Sequence, residues 1–486
     1  MRTESTEAIE WTADSIRDLF RNSADFKMEK YAFGNETGEQ RVYLMYAEGL
    51  ADTRSMNQYV LPRLESMLSL SPFDCEFNKT LELDRIERPQ DIVLKVFSGQ
   101  LVIYFENDNR VFSLNIANPP VRSPEESNAE ISIKGPRDGF VEDVTTNVAL
   151  VRRRLRTASL CHESFTLGRR SQSRAALLYM EDIIDPRLVD EARTRLRHID
   201  MDAVFGTSQL EKILSDYSPS LFPLLDYSGR PDYVADCLVH GRFAILADGA
   251  PTAIIGPANL TLLLKSPEDL YFPYFFVALG MLLRLLGLLI ALLLPGFWIA
   301  LGSFNMEQLP FPLLATIVLS RIGLPLPGPL ESFLMVGMFE LFREAGERLP
   351  KAVGQTVAVV GGIVVGDAAI RAGLASTTLI VVAAITAVAS YTLVNQSLVG
   401  TVSVIRLFTM ACASVLGMYG FILAVIAIVL YLSNLKSFGI PYLSPLSPLT
   451  WKDVAGALIR KPWFKSGARP GFLHPTDKTR NGGNAQ

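Results

Sequence analysis

Histidine and cysteine are scarce in this chain, four of each in 486 residues, and their placement excludes much chemistry at once. Cys75, Cys161, Cys237 and Cys412 show no CxxC spacing, so neither a zinc site nor a disulfide framework is indicated, and a reduced, cytoplasmic setting is expected for the soluble part. His162, His198, His240 and His474 stand in unrelated contexts with no nucleophile and base at working spacing, so the chain does not read as an enzyme, and it has no cofactor or metal motif. An excess of charge is missing too: 46 Lys and Arg against 50 Asp and Glu leave −4, and no basic run is interleaved with aromatics, which speaks against nucleic acid as a partner. The opening residues, MRTESTEAIEWTADSIRDLF, lack the apolar core and small-residue cleavage site of a signal peptide.

Long apolar runs are missing only as far as Phe272; from there to Leu432 they dominate. The expected fold is an α/β cytoplasmic head of two related modules followed by an α-helical multi-pass membrane domain. Residues 1–34 read as an extension, 35–120 as the first module, 121–170 as a linker with a basic amphipathic helix, and 171–265 as the second module. The membrane domain follows at 266–435, then a tail at 436–486, disordered from Gly467 onward.

The duplication rests on paired stretches. RVYLMYAEGLAD at 41–52 parallels RAALLYMEDIID at 174–185, each an apolar strand running into an acidic turn, with Asp52 or Asp185 placed to cap the helix that follows. GQLVIYFENDNRVFSLNIAN at 99–118 parallels GRFAILADGAPTAIIGPAN at 241–259, two hairpins with turns at Asn107-Asp108-Asn109 and Asp248-Gly249. Between the modules, the amphipathic run 144–155 ends in Arg152, Arg153 and Arg154, with Arg156 just beyond. Such a cluster is either a solvated helix face or a contact with an acidic neighbouring subunit or with lipid phosphates.

A bilayer core takes about 20 apolar residues per helix, and 375–394 and 407–432 meet that length with no formal charge inside. Residues 272–301 carry Arg284 and Pro295, so an interfacial stretch bending into a span is expected there. Residues 310–324, with Arg321 and then Pro325, Pro327 and Pro329, read as re-entrant or interfacial. The helix at 330–346 carries Glu331 and places Glu340, Arg343 and Glu344 on one face. Either that face lines a polar path through the membrane or the helix lies at the interface with its charges among headgroups. In 353–373, Gly362 and Gly366 form GxxxG, suited to helix packing and lacking the Gly-Lys-Ser/Thr of a P-loop; Asp367 and Arg371 pair at its end. Four crossings with both termini cytoplasmic follow, the basic tail agreeing with the positive-inside rule.

The chain resembles the GerA spore germination family, the A subunits of nutrient germinant receptors. The resemblance is carried by YMEDIIDP at 179–186, KGPRDGF at 134–140, TTNVALVRRRLRT at 145–157, SPEDLY at 266–271, FELFREAGERLPKAVGQTVAVVGGIVVGDAAIRAGL at 339–374 and LKSFGIPYLSPLSP at 435–448. It implies a multi-pass protein of the spore inner membrane working with a transporter-like B subunit and a lipoprotein C subunit, and forming a homo-oligomeric, ligand-gated ion channel that starts germination. Glu340, Arg343 and Glu344 would then be the pore-lining candidates, with membrane lipid around them. An accessory channel of the same family and a non-conducting scaffold are the alternatives.

Overall fold

The structure, a computed structural model of the chain, describes residues 11–35, 38–70, 83–118, 134–349, 366–458 and 467–479. It divides into two compact units, one of Met1–Ser218, Leu225–Pro257 and Trp463–Gln486, the other of Pro219–Leu224 and Ala258–Pro462.

The first unit holds two five-stranded antiparallel sheets. Strands β1 (Phe26–Asn35), β2 (Gly38–Ala47), β3 (Asp84–Ile86), β4 (Leu101–Phe105) and β5 (Arg110–Leu114) lie in the order β1-β2-β4-β5-β3. Strands β6 (Leu160–Leu167), β7 (Ser173–Met180), β8 (Asp226–Ser228), β9 (Phe243–Ala247) and β10 (Ala253–Gly256) repeat that order as β6-β7-β9-β10-β8. The paired motifs therefore fall on equivalent strands. LVIYF and FAILA, buried along their whole length, are the central strands β4 and β9. Their hairpins turn where expected, with positive φ at Asn109 (49°) and Gly249 (81°). Asp52 accepts from the Arg54 amide at 3.0 Å, and Asp185 from the Arg187 amide at 3.0 Å, each capping a helix start.

Two boundaries and the state of the tail differ from the sequence reading. The stretch 1–34 contains β1 and so belongs to the first sheet, and the linker at 121–170 contains β6 of the second. Both are edge strands, and FKMEKYAFGN and LCHESFTL carry the interspersed charge that edges use to avoid pairing with other chains, so a reading keyed to apolar runs passes over them. The tail is ordered over 467–479: Leu473 is buried, the Arg469 Nε donates to the Val239 carbonyl at 2.9 Å, and the Thr476 amide to the Ile183 carbonyl at 2.8 Å.

Helix α1 (Val144–Arg152) ends in the arginine cluster, and the structure corrects the reading of Arg152 as a surface contact. Arg152 is fully buried, donating to both oxygens of Asp25 (2.9 and 3.1 Å) and to the Leu160 carbonyl (2.6 Å), with its guanidinium 4.0 Å from the Phe97 ring centre. Residues 22–24 pair with β6 through Ser23 and His162, so this ion pair joins the two sheets. Arg154 is held by both Asp138 oxygens at 2.6 Å, and Arg153 is the exposed member of the three.

In the second unit, α2 (Tyr274–Ile299) continues through a π-helical turn, Ala300–Phe304. The stretch is one continuous helix rather than an interfacial segment followed by a separate span: Arg284 reaches back to Asp269 of the SPEDLY motif (2.6 and 2.9 Å), which answers its charge, and Pro295 lies inside the helix without ending it. α3 (Phe311–Arg321) and α4 (Gly328–Arg348) flank the proline stretch, with Pro329 in the first turn of α4, where its missing N–H costs nothing. α5 (Thr377–Tyr391) has 15 residues, about 22 Å, shorter than the span expected at 375–394. α6 (Gln396–Asn434) is broken at Gly417, whose φ of 61° and ψ of −139° leave the helical region, so the run 407–432 straddles a kink. A Cβ at Gly417 would stand 2.9 Å from Phe304, and glycine alone suits both the conformation and the contact.

Candidate functional site

Glu340, on α4, is the hub of a charged cluster in the helical unit. One carboxylate oxygen accepts from Arg343 at 2.6 Å, one turn along the same helix. The other accepts from Arg406 of α6, also at 2.6 Å. Arg406 is 3% exposed and reaches in addition to Ser390 of α5 (3.3 Å) and Ser403 of its own helix (3.3 Å). The carboxylate thus ties α4 to α6, and Arg406 extends the tie to α5. A charge at membrane depth costs at least about 3 kcal/mol when uncompensated, so the pairing is what lets Arg406 lie in an apolar helix.

The cluster borders a small cavity of about 20 Å³, lined by Val336, Phe339, Glu340, Arg343, Ala383, Thr386, Ala387, Ser390, Tyr391 and Arg406. That is room for one water with polar partners on several sides.

Sequence reasoning reached Glu340 and Arg343 and missed Arg406. The signal was present: Arg406 is the one charge within 396–434, and trimming the apolar run to 407 placed it just outside. Glu344 does not extend the stripe. It faces outward and is bonded to Arg348 at 2.6 Å, both side chains being at least half exposed. Asp367 and Arg371 pair at 2.8 Å, likewise exposed.

A second buried carboxylate, Glu331, is 1% exposed and holds the start of α5: one of its oxygens accepts from the Ser376 amide (2.5 Å) and hydroxyl (2.6 Å). The close helix approaches lie at Gly287 and Gly296. A Cβ at Gly287 would collide with the Thr392 hydroxyl, and one at Gly296 would stand 3.1 Å from the Thr409 backbone. Gly362 lies outside the described residues; Gly366 faces Ile380 with room for a methyl group.

Among the described residues, no group of three or more His, Cys, Asp or Glu could hold a metal ion. Among the described residues, two helical stretches are long and apolar enough to cross a membrane, Tyr274–Phe304 (31 residues) and Gln396–Asn434 (39 residues). Their outward side chains, Val415 and Tyr419 among them, are 76% and 66% exposed, an apolar surface of the kind that marks contact with membrane or protein.

Fold and site define a two-unit protein, with duplicated α/β sheets in one unit and paired charges inside apolar helices in the other. The family described as Bacillus/Clostridium GerA spore germination protein matches residues 14–472, and the chain belongs to that family. It is 38% identical over 481 residues to spore germination protein XA of Bacillus anthracis, covering 97% of each chain. It is 33% identical over 463 residues to the uncharacterized membrane protein YfkQ of Bacillus subtilis (strain 168), covering 94% of this chain and 90% of that one. It is also similar to the crystal structure of the N-terminal domain of the A subunit of the Bacillus megaterium spore germinant receptor GerK3, with 26% identity and a TM-score of 0.41, over 52% of this chain and 98% of that domain. Family membership and the two apolar helices point to association with a membrane.

Proposed function

We propose that this chain is the A subunit of a nutrient germinant receptor in the spore inner membrane, acting with a transporter-like B subunit and a lipoprotein C subunit. Copies of the helical unit assemble around an axis into a ligand-gated ion channel. The unit is multi-pass, and both termini are cytoplasmic. The observation that supports the conducting role is the Glu340 hub: a carboxylate and two guanidiniums are paired among the apolar helices of the second unit, and ionisable residues held at membrane depth mark ion paths. In the assembly this polar seam faces the axis, with Glu340 and Arg343 lining it and the exposed Glu344 at its mouth.

One observation favours a second reading. Glu340 is fully engaged by Arg343 and Arg406 within a single chain, which a non-conducting scaffold would equally need to hold its helices. Ion flux separates the two. With the A, B and C subunits together in vesicles, nutrient triggers ion release in the wild type, and Glu340→Gln reduces it at least tenfold while the complex stays assembled. Wild-type release from Glu340→Gln would reject the assignment, and an assembled wild-type complex that never passes ions would establish the scaffold.

A further inference from the structure

Glu331 shows an asymmetry that its structural role does not use. One oxygen caps α5 through Ser376; the other, Oε2, is buried and accepts no hydrogen bond among the described residues. A carboxylate oxygen ordinarily takes one or two donors or a cation, and leaving it without either in an apolar setting is costly. The nearest charge is Arg321 of α3, whose Nε lies 3.9 Å away, too far to hydrogen-bond, while its Nη1 donates to the Gly302 carbonyl at 2.7 Å. Ser303, the next residue, also has a buried hydroxyl without a partner among the described residues. Both Arg321 and Ser303 lie against Gly328, one turn before Glu331 on α4, where a side chain would collide with the guanidinium and the hydroxyl. The Arg321 guanidinium, anchored on the Gly302 carbonyl, thus stands close both to the unbonded Glu331 oxygen of α4 and to the Ser303 hydroxyl.

We propose that Glu331 Oε2 and Ser303 Oγ form a binding site for a small monovalent cation, with Arg321 as a built-in competitor that supplies the positive charge while the site is at rest. Oxygen donors select hard cations, and a single carboxylate suits a single positive charge, since divalent sites gather several. Arg321 neutralises Glu331 without bonding to it, so an incoming ion displaces a guanidinium that keeps its own anchor on Gly302. The role as a station on an ion path rests on the conducting reading above; the site itself rests on the geometry alone.

The test measures binding separately from conduction. The full-length chain with its partner subunits is titrated with potassium chloride against choline chloride at constant ionic strength, and thermal stability is recorded. Arg321→Gln, which keeps a donor for Gly302 and removes the competing charge, is expected to show potassium-dependent stabilisation at least about tenfold more sensitive than wild type, because a unit charge at this distance is worth more than one decade. Adding Glu331→Gln abolishes the response, its amide oxygen still accepting from Ser376. Should that double variant fail to fold, Ser303→Ala in the Arg321→Gln background is expected to weaken the response several-fold. An Arg321→Gln titration that matches wild type, equal stabilisation by choline, or a response that survives both Glu331→Gln and Ser303→Ala overturns the site. Nutrient-triggered flux in vesicles with no potassium response removes the site and leaves the conducting reading; a potassium response without flux does the reverse.

Discussion

Replacing Arg152 with Met removes a charge that the first unit buries completely, and the structure sets the scale of the loss. Asp25 would keep only the His162 ring at 3.4 Å, and the Leu160 carbonyl would lose its donor at 2.6 Å. Breaking a buried pair by deleting one partner costs about 3–5 kcal/mol, because the remaining charge stays desolvated and uncompensated. About 4 kcal/mol corresponds to nearly a thousandfold rise in the exchange-competent population. Hydrogen exchange on the full-length chain, followed in peptides from β2 and β7, should show that rise in both sheets, since the pair joins them. Asp25→Ala should cost a similar amount, and the double variant clearly less than the sum, with a coupling of about 2 kcal/mol or more. Exchange within threefold of wild type in Arg152→Met, or additive single effects, would refute the claim that this ion pair holds the sheets together.

Three further outcomes follow from the same structure. Burial pushes the Asp25 carboxyl up, but Arg152 and His162 outweigh it and hold the group well below the usual carboxylate range. Its contribution to stability is therefore complete above about pH 4 and is lost as pH falls below that, so acid melts of Asp25→Asn should have a shallower slope there than wild type, and equal slopes would contradict the pairing. Burial, and then the Glu181 charge, push the Cys161 thiol up to about 12, so at pH 8 the native chain should alkylate there at least about a hundredfold more slowly than the denatured chain, as read by mass spectrometry. Gly296→Ala presses on the Thr409 backbone at 3.1 Å and should lower stability in detergent by about 1–3 kcal/mol, whereas Gly280→Ala meets only the Arg284 guanidinium at 3.7 Å and should be near neutral; equal effects would count against the close approach of α2 and α6.

How far the chain was legible before its structure depends on the kind of signal. Central strands β4 and β9 are unbroken apolar runs closed by turn residues, and Asp52 and Asp185 are helix caps; such local patterns announce themselves. Edge strands β1 and β6 do not, because the charges that protect an edge also erase its apolar run. Arg152 looked like surface because three arginines adjoin it, and only the fold brings Asp25, 127 residues away, to meet it. The candidate site divides the same way. Glu340 and Arg343 are neighbours on one helix and can be paired by spacing. Arg406 joins them across 66 residues, and Glu331 meets Ser376 across 45, contacts that no periodicity encodes. The break at Gly417 was hidden because a glycine within an apolar run shows nothing of the φ it will adopt.

The central claim, that the Glu340 flank faces water in the assembled membrane complex, is tested most directly by thiol accessibility. In a cysteine-free background, Glu344→Cys, on the exposed end of that flank, and Val415→Cys are each exposed to a membrane-impermeant thiol reagent in vesicles holding the assembled complex, before and after nutrient. The account predicts labelling of Glu344→Cys that rises on nutrient exposure, with Val415→Cys remaining unmodified in lipid. An unlabelled Glu344→Cys in a complex that still assembles, or equal labelling of both variants, would contradict it.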